Sequence, residues 1–568
     1  MTVALSEQQR KVVPAPGDFL LLACPGSGKT RTAAARIARL DEEGYRIAAC
    51  SYTNVGADRI ATMLARDHGR FFTPRSFNGT LHGFLLRYVV YPFAHLIGAE
   101  KAVRLWLGEW PDFGFSADPR LRLSLDQFRI DPNGTLIFSA PPQWAIHKVE
   151  EVLEAERQRV ADGKRRLFRK QGVLSADDAM WAALRILKEA PQVTEALAGR
   201  FDEILIDEAQ DTSDVQLACL RRVHASKRLK SLVLVGDLEQ SIFAYQGASA
   251  KACRELAKNC GLKMITLSEN HRSSQKLCNV AGHFCGRGAD KAVGPHRDCQ
   301  IDPELFLYPP HQPGVTMDHF RERLAVHHIE PSEAFVLARS HKMIARLGGH
   351  EELVNVGPTI KAIGKLSAAL AGGTLGRWDV ARAEVLIAQG AFDKHPTALG
   401  PEMRRPLRDA AYSLIGDLPP LEGNLRDWIL AARPAYGAAL ARVCEEPRHK
   451  PGPMLKAPDR FAEFEVADVF APPPLDLAPR TVHSLKGEEG EAVMVVVKKH
   501  HGADRAKQMQ LLEVSLAGEE VAEEEEEERR INYVALTRAE RFCLLALPDD
   551  KRGRALAHKC ESIGFVLP

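Results

Sequence analysis

The segment ACPGSGKT, residues 23–30, restricts the fold of this chain more than any other feature of its sequence. It follows an apolar run, DFLLLAC, that is typical of a buried strand, and it precedes TRTAAARIARL, which has helical periodicity. A glycine-rich loop between a strand and a helix can wrap its backbone N–H groups around phosphate oxygens. The pattern predicts a phosphate-binding loop in which Lys29 reaches the β and γ phosphates of a nucleotide and the Thr30 hydroxyl ligates Mg²⁺. The residues of this predicted loop are Ala23, Cys24, Pro25, Gly26, Ser27, Gly28, Lys29 and Thr30.

An acidic segment, IDEAQDTSDVQ at residues 206–216, begins within a second apolar run, EILID. A carboxylate at the carboxyl end of a strand can hold Mg²⁺ opposite a phosphate-binding loop, and this role is predicted for Asp207. The neighbouring Glu208 can then orient and deprotonate an attacking water. The alternative is a solvated acidic loop, which the presence of the phosphate-binding loop disfavours.

Apolar runs alternate with helical periodicity along much of the chain. Besides the two runs above, RIAACSY, SLVLVGD and AVMVVV are near-continuous apolar segments, which are typical of parallel sheets covered on both faces. The alternation predicts an α/β fold built from βαβ units. With 568 residues the chain is too long for one hydrophobic core, so several domains are expected.

Two long regions lack this alternation and are predicted to be mainly helical. Residues 91–195 include a segment at 144–170 that predicts one long charged helix, and residues 345–470 are rich in Ala, Leu and Arg. The proline-rich APPPLDLAP that follows predicts a stiff connector. The six glutamates at residues 523–528 indicate a solvated segment.

Composition excludes some classes of protein. The net charge of +2 does not mark the chain as a nucleic-acid binder, so any such binding must use local grooves. The 11 cysteines form no CxxC pair, which disfavours a zinc site and fits a reducing compartment. The sequence shows neither a signal peptide nor an apolar run long enough to cross a membrane, so a cytoplasmic protein without membrane contact is expected.

Together with the phosphate-binding loop, eight segments follow the motif order of one family, and on them the chain resembles the UvrD/Rep branch of superfamily 1 helicases. In that order they are LSEQQR (5–10), SYTNVGADRI (51–60), GTLH (79–82), DEAQD (207–211), VGDLEQSIFAYQGA (235–248), LSENHRSS (267–274), TVHSLKGEEGEAVMVV (481–496) and RRINYVALTRA (529–539).

The resemblance implies a two-domain architecture: two RecA-like P-loop NTPase domains, each interrupted by a mainly helical insertion. The expected first domain comprises residues 1–90 and 196–275, with its insertion at 91–195. The expected second domain comprises residues 276–344 and 476–568, with its insertion at 345–475. ATP would lie between the two domains, and single-stranded DNA would cross their tops.

The resemblance also implies how the base and the sugar of ATP are held. Gln9 would contact adenine, and Arg31 would stack on its ring. His271 stands where the family usually has a tyrosine on the other face of that ring. Glu489 would bind the ribose.

Three further residues would act on the γ-phosphate. Gln240 would sense it from the first domain, while Arg272 and Arg538 would reach it from the second. Guanidinium groups placed there stabilise the charge that builds on the transferring phosphoryl group, and they make hydrolysis depend on closure of the cleft.

On the DNA side, the resemblance implies aromatic and polar contacts that do not depend on base sequence. Tyr245 and Gln246 replace a tryptophan and an arginine that the family usually carries. The implied contacts are Tyr52, Asn54, His82, Phe243, Tyr245, His483 and Lys486.

The expected function is that of an ATP-dependent single-stranded DNA translocase or 3′-to-5′ DNA helicase that also acts at DNA junctions. An alternative is a DNA- or nucleotide-sensing ATPase subunit that regulates a separate nuclease. The segment GTLHGFLLRYVVYPF (79–93) is similar to compact UvrD-like proteins that work beside a nuclease, as in the Gabija anti-phage systems. The pathway, repair or defence, is left open by the sequence.

Overall fold

The computed structural model describes residues 5–106, 112–114, 122–124, 128–138, 160–242, 250–285, 288–348, 356–394, 396, 399–470, 476–485, 487–498 and 526–567. The strands are β1 (Phe19–Ala23), β2 (Ile47–Ser51), β3 (Phe77–Thr80), β4 (Arg104–Leu105), β5 (Asp112–Gly114), β6 (Arg122–Ser124), β7 (Phe128–Ile130), β8 (Leu136–Phe138), β9 (Val173–Leu174), β10 (Glu203–Asp207), β11 (Ser231–Gly236), β12 (Lys263–Leu267), β13 (Glu269–Asn270), β14 (Lys291–Ala292), β15 (Glu304–Tyr308), β16 (Ala334–Ala338), β17 (Pro479–Thr481), β18 (Gly490–Val496) and β19 (Ala539–Pro548).

The α-helices are α1 (Glu7–Val12), α2 (Lys29–Glu42), α3 (Asn54–His68), α4 (Leu81–Leu85), α5 (Tyr91–Phe93), α6 (Ala176–Glu189), α7 (Pro191–Arg200), α8 (Asp214–Ala225), α9 (Ala250–Cys260), α10 (Gln275–Gly282), α11 (Val315–Val326), α12 (His341–Leu347), α13 (Pro358–Ala371), α14 (Arg377–Phe392), α15 (Arg404–Asp417), α16 (Leu425–Ala441), α17 (Pro451–Met454), α18 (Val466–Phe470), α19 (Glu526–Leu536) and α20 (Lys551–Ser562). None of the helices in these described ranges is long and apolar enough to cross a membrane.

The first sheet is parallel throughout and has the strand order β12-β1-β11-β10-β2-β3. All residues of β2, β10 and β11 are buried, as expected for strands covered by helices on both faces. Because parallel strands end at the same edge, the loop after β1 and the acidic segment after β10 lie together. The predicted α/β fold with RecA-like domains is confirmed.

The second sheet is also parallel, with the order β15-β19-β18-β16-β17. Side chains of β18 alternate between two hydrophobic cores, with Val493 and Val495 in one and Met494 and Val496 in the other. The first of these cores also contains residues of α10, α19 and α20, and the second contains residues of α11 and α12. Helices therefore cover both faces of this sheet as well.

The described residues between 358 and 470 are mainly helical and have a hydrophobic core of their own, and the insertion bounds 345–475 stay a prediction. Helices α13, α14, α15 and α16 enclose one hydrophobic core, in which Trp428 and Tyr436 are almost fully buried. The indole of Trp428 and the hydroxyl of Tyr436 both donate hydrogen bonds to backbone carbonyls, which satisfies their polar atoms inside the core.

The insertion at residues 91–195 differs from the prediction in two respects. Its described residues include the parallel pair β4-β9 and the antiparallel pairs β5-β6 and β7-β8, so it is not simply helical. Helix α6 packs against α8 and shares a core with the first sheet, so this part belongs structurally to the first domain. The prediction of a mainly helical region covered α6 but could not show which unit its apolar face contacts. Of the charged helix predicted at 144–170, residues 160–171 are described and are helical.

A buried ion pair joins the helix after the phosphate-binding loop to the strand before the acidic segment. Arg36 of α2 donates two hydrogen bonds to the carboxylate of Glu203 in β10, with N···O distances of 2.9 and 2.6 Å. Arg36 also donates to the carbonyls of Val13 and Ala15, and the Ser231 hydroxyl donates to Glu203 at 2.5 Å. The pair therefore fixes the spacing of the two segments that form the candidate site.

We expect Arg36→Ala to lower the free energy of unfolding of this domain by about 3–5 kcal/mol, because it leaves a fully buried carboxylate without its partner. Arg39→Ala is the matched control on the same helix, since Arg39 pairs with Glu43 at the surface. Arg39→Ala should lower the free energy of unfolding by less than about 1 kcal/mol. Denaturant unfolding of both variants measures the difference, and equal effects would contradict a structural role for the buried pair.

Candidate nucleotide-binding site

A cleft of about 310 Å³ lies between the carboxyl edge of the first sheet and the second half of the chain. It brings together residues that are hundreds of positions apart in the sequence. The sequence-predicted residues that line it are Gln9, Cys24, Pro25, Gly26, Ser27, Gly28, Lys29, Thr30, Arg31, Glu208, Gln240, His271, Arg272, Glu489 and Arg538. Ala23 ends β1 immediately before it.

The loop between β1 and α2 needs glycine at two positions. Gly26 and Gly28 have φ angles of 68° and 74°, in the left-handed region that favours glycine. A Cβ atom on Gly26 would lie 2.6 Å from Cβ of Arg272, and one on Gly28 would lie 2.5 Å from Nε2 of Gln9. The loop therefore packs directly against groups that line the cleft, and larger residues could not replace these glycines without displacing them.

Gln9 forms a hydrogen bond that holds this loop in place. Its Nε2 donates to the carbonyl of Ser27 at 2.9 Å, and its Oε1 accepts from the backbone N–H of Ser6 at 2.9 Å, which completes the N-terminal cap of α1. The side chain is 3% exposed. Contact with adenine stays a prediction for Gln9; in this structure its amide is bonded to the protein.

The two residues predicted to hold Mg²⁺ are adjacent. The Thr30 hydroxyl donates to Oδ2 of Asp207 at 3.2 Å. Burial, and then the neighbouring charge of Glu208, raise the pKa of Asp207 to about 7, although Lys29 and Thr30 oppose this shift. A buried carboxylate beside a hydroxyl at the end of a strand fits a divalent cation, which would stabilise the ionised form.

Glu208 has a strained backbone that turns its side chain into the cleft. Its φ and ψ angles are 54° and 43°, which is uncommon for a residue with a side chain. Nε2 of Gln210 donates to Oε2 of Glu208 at 2.5 Å, and Oε1 of Gln210 accepts from the backbone N–H of Asp237 at 3.1 Å. The fully buried Gln210 therefore links Glu208 to the segment that carries Gln240. Sequence analysis did not single out Gln210; a polar residue two positions after Glu208 was the available signal.

Cations from the second half of the chain face the phosphate-binding loop. Arg538 is 3% exposed, and its guanidinium donates to the carbonyls of Val534 at 3.1 Å and Glu488 at 3.4 Å. Burial, and then the charge of Arg272, lower the pKa of Arg538 to about 10, so it remains protonated at neutral pH.

Arg272 and Glu489 are joined by an ion pair in the same cleft. Arg272 also donates to the carbonyl of Thr537 at 3.0 Å. Burial raises the pKa of Glu489, but the charges of Arg272 and Arg59 outweigh it and hold that pKa below its usual value. The carboxylate that is predicted to bind ribose is thus ionised and bonded to one of the predicted phosphate ligands.

Helix α3 contributes a cation that sequence analysis missed. Arg59 lines the cleft and donates to the carbonyl of Gly487, across the two halves of the chain, at 2.9 Å. Arg31 and His271, the predicted adenine neighbours, also line the cleft, and burial lowers the pKa of His271. Arg59 lies in a segment that resembles a family motif, but nothing in the local pattern distinguishes it from a surface helix residue.

The predicted DNA contacts are described only in part. Tyr52 and Asn54 lie at the start of α3, where Asn54 is exposed, and Tyr52 and His82 line one small pocket of about 60 Å³. Burial lowers the pKa of His82 to about 4, so the imidazole is neutral. His483 lies 3.1 Å from the carbonyl of Ile242. Three further predicted contacts, Phe243, Tyr245 and Lys486, lie outside the described residues.

The family model that matches this chain covers residues in its first half. The UvrD/REP helicase N-terminal domain matches residues 5–108 and 140–261. The chain is 27% identical over 299 residues to the ATP-dependent DNA helicase PcrA of Leuconostoc citreum, a match that covers 49% of this chain and 38% of the relative. The PcrA proteins of Staphylococcus epidermidis and Staphylococcus aureus are 24% and 23% identical, each over 50% of this chain and 40% of the relative.

The matched region thus spans about two fifths of the length of these relatives. It contains the phosphate-binding loop, the acidic segment and Gln240, which are the parts of the cleft contributed by the first sheet. The arginines that complete the cleft come from beyond the matched domain, in segments with the same motif order. Residues 5–108 and 140–261 of this chain are accordingly similar to the N-terminal domain of UvrD/REP helicases.

Proposed function

We propose that this chain hydrolyses ATP with Mg²⁺ and uses the opening and closing of the cleft to move along single-stranded DNA, separating duplex strands as an ATP-dependent helicase. The observation that carries the proposal is the cleft itself. Glu208 and the phosphate-binding loop approach it from the first sheet, and Arg538 approaches it from the second half. Arg272 follows β13, and its guanidinium is bonded to Thr537 and Glu489 of the second half. That arrangement matches what phosphoryl transfer to water requires.

Each side chain has a distinct task in this reaction. Glu208 would accept a proton from the attacking water, and Gln210 would hold it in position. Arg272 and Arg538 would stabilise the charge on the γ-phosphate. Thr30 and Asp207 would hold Mg²⁺, which supplies further charge neutralisation at the β and γ phosphates. Among the described residues no cluster of three acidic, histidine or cysteine side chains could hold a metal, so phosphate oxygens and water would complete its coordination.

Helix α3 offers a direct path from the cleft to DNA. Its first turn carries Asn54, a predicted DNA contact, and the same helix carries Arg59 and Met63 into the cleft. Arg59 is bonded to the carbonyl of Gly487 in the other half. Movement of the halves on hydrolysis would therefore shift the end of α3 that faces the strand. A 3′-to-5′ direction is part of the proposal and is implied by the family resemblance.

We expect single-stranded DNA to raise the rate of ATP hydrolysis by at least about tenfold, which corresponds to lowering the barrier by about 1.4 kcal/mol. Phosphate release with and without an unstructured oligonucleotide measures this. Lys29→Ala is the control, and it should remove hydrolysis in both conditions because Lys29 is predicted to bind the transferring phosphate.

Two outcomes would contradict the proposed function. Hydrolysis that depends on Lys29 but ignores DNA would favour the alternative, a nucleotide-sensing ATPase that regulates a partner such as a nuclease. Hydrolysis that survives Lys29→Ala would show that another site, or another protein, is responsible. Duplexes with 3′ or 5′ single-stranded tails then determine the direction, and unwinding only from 5′ tails would refute the proposed polarity.

A further inference from the structure

A second cleft, of about 620 Å³, lies between the two insertions and is separate from the residues that form the candidate ATP site. One wall comes from β4 and the segment around it, with Lys101, Arg104 and Trp106. The opposite wall comes from α14 and α15, with Glu384, Arg404 and Arg408 among others. No role in the proposed hydrolysis falls to these residues.

Positive charge predominates in this cleft. Five basic side chains line it, against the two carboxylates Glu384 and Asp409. Glu384 accepts a hydrogen bond from Nε of Arg408 at 2.8 Å, and Asp409 lies 3.8 Å from Arg405. Within the described parts of the chain, Lys101 and Arg404 form no ion pair, and Nε of Arg104 is buried without a hydrogen-bond acceptor. The carboxylates of the cleft therefore leave three cations uncompensated.

The guanidinium groups also repel one another. Burial and then the charge of Arg404 lower the pKa of Arg104, while Glu384 raises this pKa by more than the charge of Arg408 lowers it. Arg104 thus lies near the positive charges of Arg404 and Arg408, and the nearby carboxylate of Glu384 is already bonded to Arg408. An anion bound between them would relieve the repulsion and provide the missing acceptor.

An apolar surface lies beside these cations. The Trp106 ring lies 5.7 Å from the guanidinium of Arg104, and Pro396, Leu399 and Leu407 line the same cleft. Bidentate arginines suit phosphate oxygens, while an indole face suits a planar heterocycle. Ligand pockets of about 300–1,000 Å³ are the usual size for such molecules.

We propose that the cleft between the insertions binds a nucleotide, with its phosphates on Arg104, Arg404 and Lys101 and its base against Trp106. This site goes beyond the proposed hydrolysis and does not depend on it. Its two walls belong to different insertions, so a bound nucleotide would bridge them and hold their relative orientation. The ligand we propose is a free nucleoside triphosphate; the phosphorylated end of a strand has similar chemistry and is the alternative that the test separates.

Calorimetric titration with the non-hydrolysable ATP analogue AMPPNP tests this site. We expect two molecules to bind per wild-type chain and one to bind when Arg104→Ala and Arg404→Ala are combined. Arg382→Ala is the matched control, because Arg382 lies on α14, pairs with Asp379 and does not line the cleft. It should retain both sites. A stoichiometry that the double substitution leaves unchanged overturns the proposal.

A variant that is expected to bind more tightly distinguishes loss of the binding site from misfolding. Glu384→Gln removes the buried carboxylate beneath the guanidinium groups and releases Arg408, so the second site should bind AMPPNP at least about tenfold more tightly. Unchanged or weaker binding would contradict the assignment.

A 5′-phosphorylated oligonucleotide, titrated in parallel, separates the two sources of ligand. If only the oligonucleotide loses affinity in the double variant, the cleft serves a nucleic-acid backbone and the nucleotide proposal is wrong.

Discussion

Replacing Glu208 with glutamine should lower ATP turnover by a factor of about 10²–10⁴ and leave ATP binding nearly unchanged, because the substitution removes a general base while keeping the shape of the side chain. The structure makes this residue a specific candidate. Its left-handed backbone directs the side chain into the cleft, and Gln210 holds one carboxylate oxygen at 2.5 Å. Single-turnover phosphate release measures the chemical step, and a fluorescent ATP analogue measures binding.

Glu43→Gln serves as the control for this measurement. Glu43 lies at the end of α2, pairs with Arg39 at the surface and does not line the cleft, so both turnover and binding should match those of the unaltered chain. Normal turnover in Glu208→Gln would remove the assignment of Glu208 as the base. Loss of binding in that variant would instead show that the carboxylate organises the nucleotide site.

Arg538→Ala should reduce turnover by about 10³-fold or more, which is the usual contribution of an arginine that contacts the transferring phosphoryl group. Binding of ATP should change much less, since this contact strengthens as charge develops in the transition state. The guanidinium is well placed for the task, because it is buried, protonated and held by two carbonyls of its own half. Steady-state kinetics with a separate binding measurement distinguish the two effects.

The neighbouring arginine provides a matched control for this variant. Arg541 lies three positions later, in β19, and pairs with Glu491 at 2.7 Å outside the cleft. Arg541→Ala should therefore retain normal turnover. Equal losses of binding and turnover in Arg538→Ala would refute the transition-state role, because they would indicate a contact that the ground state makes equally well.

Much of the first domain could be predicted from consecutive residues. The apolar run before Gly26 and the periodic segment after Lys29 correspond to β1 and α2, and EILID corresponds to β10. A phosphate-binding loop can be recognised in this way because its backbone geometry requires glycine at particular positions. The order of the family motifs then extended the prediction to the second sheet and to Arg538.

Other features did not follow from local patterns. The first insertion was predicted as one helical unit, whereas α6 packs into the core of the first sheet and short strand pairs occupy part of the region. Amphipathic periodicity shows that a helix buries one face, but it does not show which neighbour covers that face. For the same reason the sequence offered no sign that residues 101–106 and α15 would meet in one cleft.

The sequence by itself determined the chemical parts of this protein: a phosphate-binding loop, an acidic pair at a strand end and arginines in family motifs. Those parts depend on the conformations of a few adjacent residues, so they can be read along the chain. Only the tertiary structure decided how the parts meet. The bond between Arg59 and Gly487 joins residues 428 positions apart, and the Arg36–Glu203 pair joins residues 167 apart. Such contacts depend on how entire sheets and helices pack, because packing, and not proximity in sequence, brings distant side chains within hydrogen-bond distance.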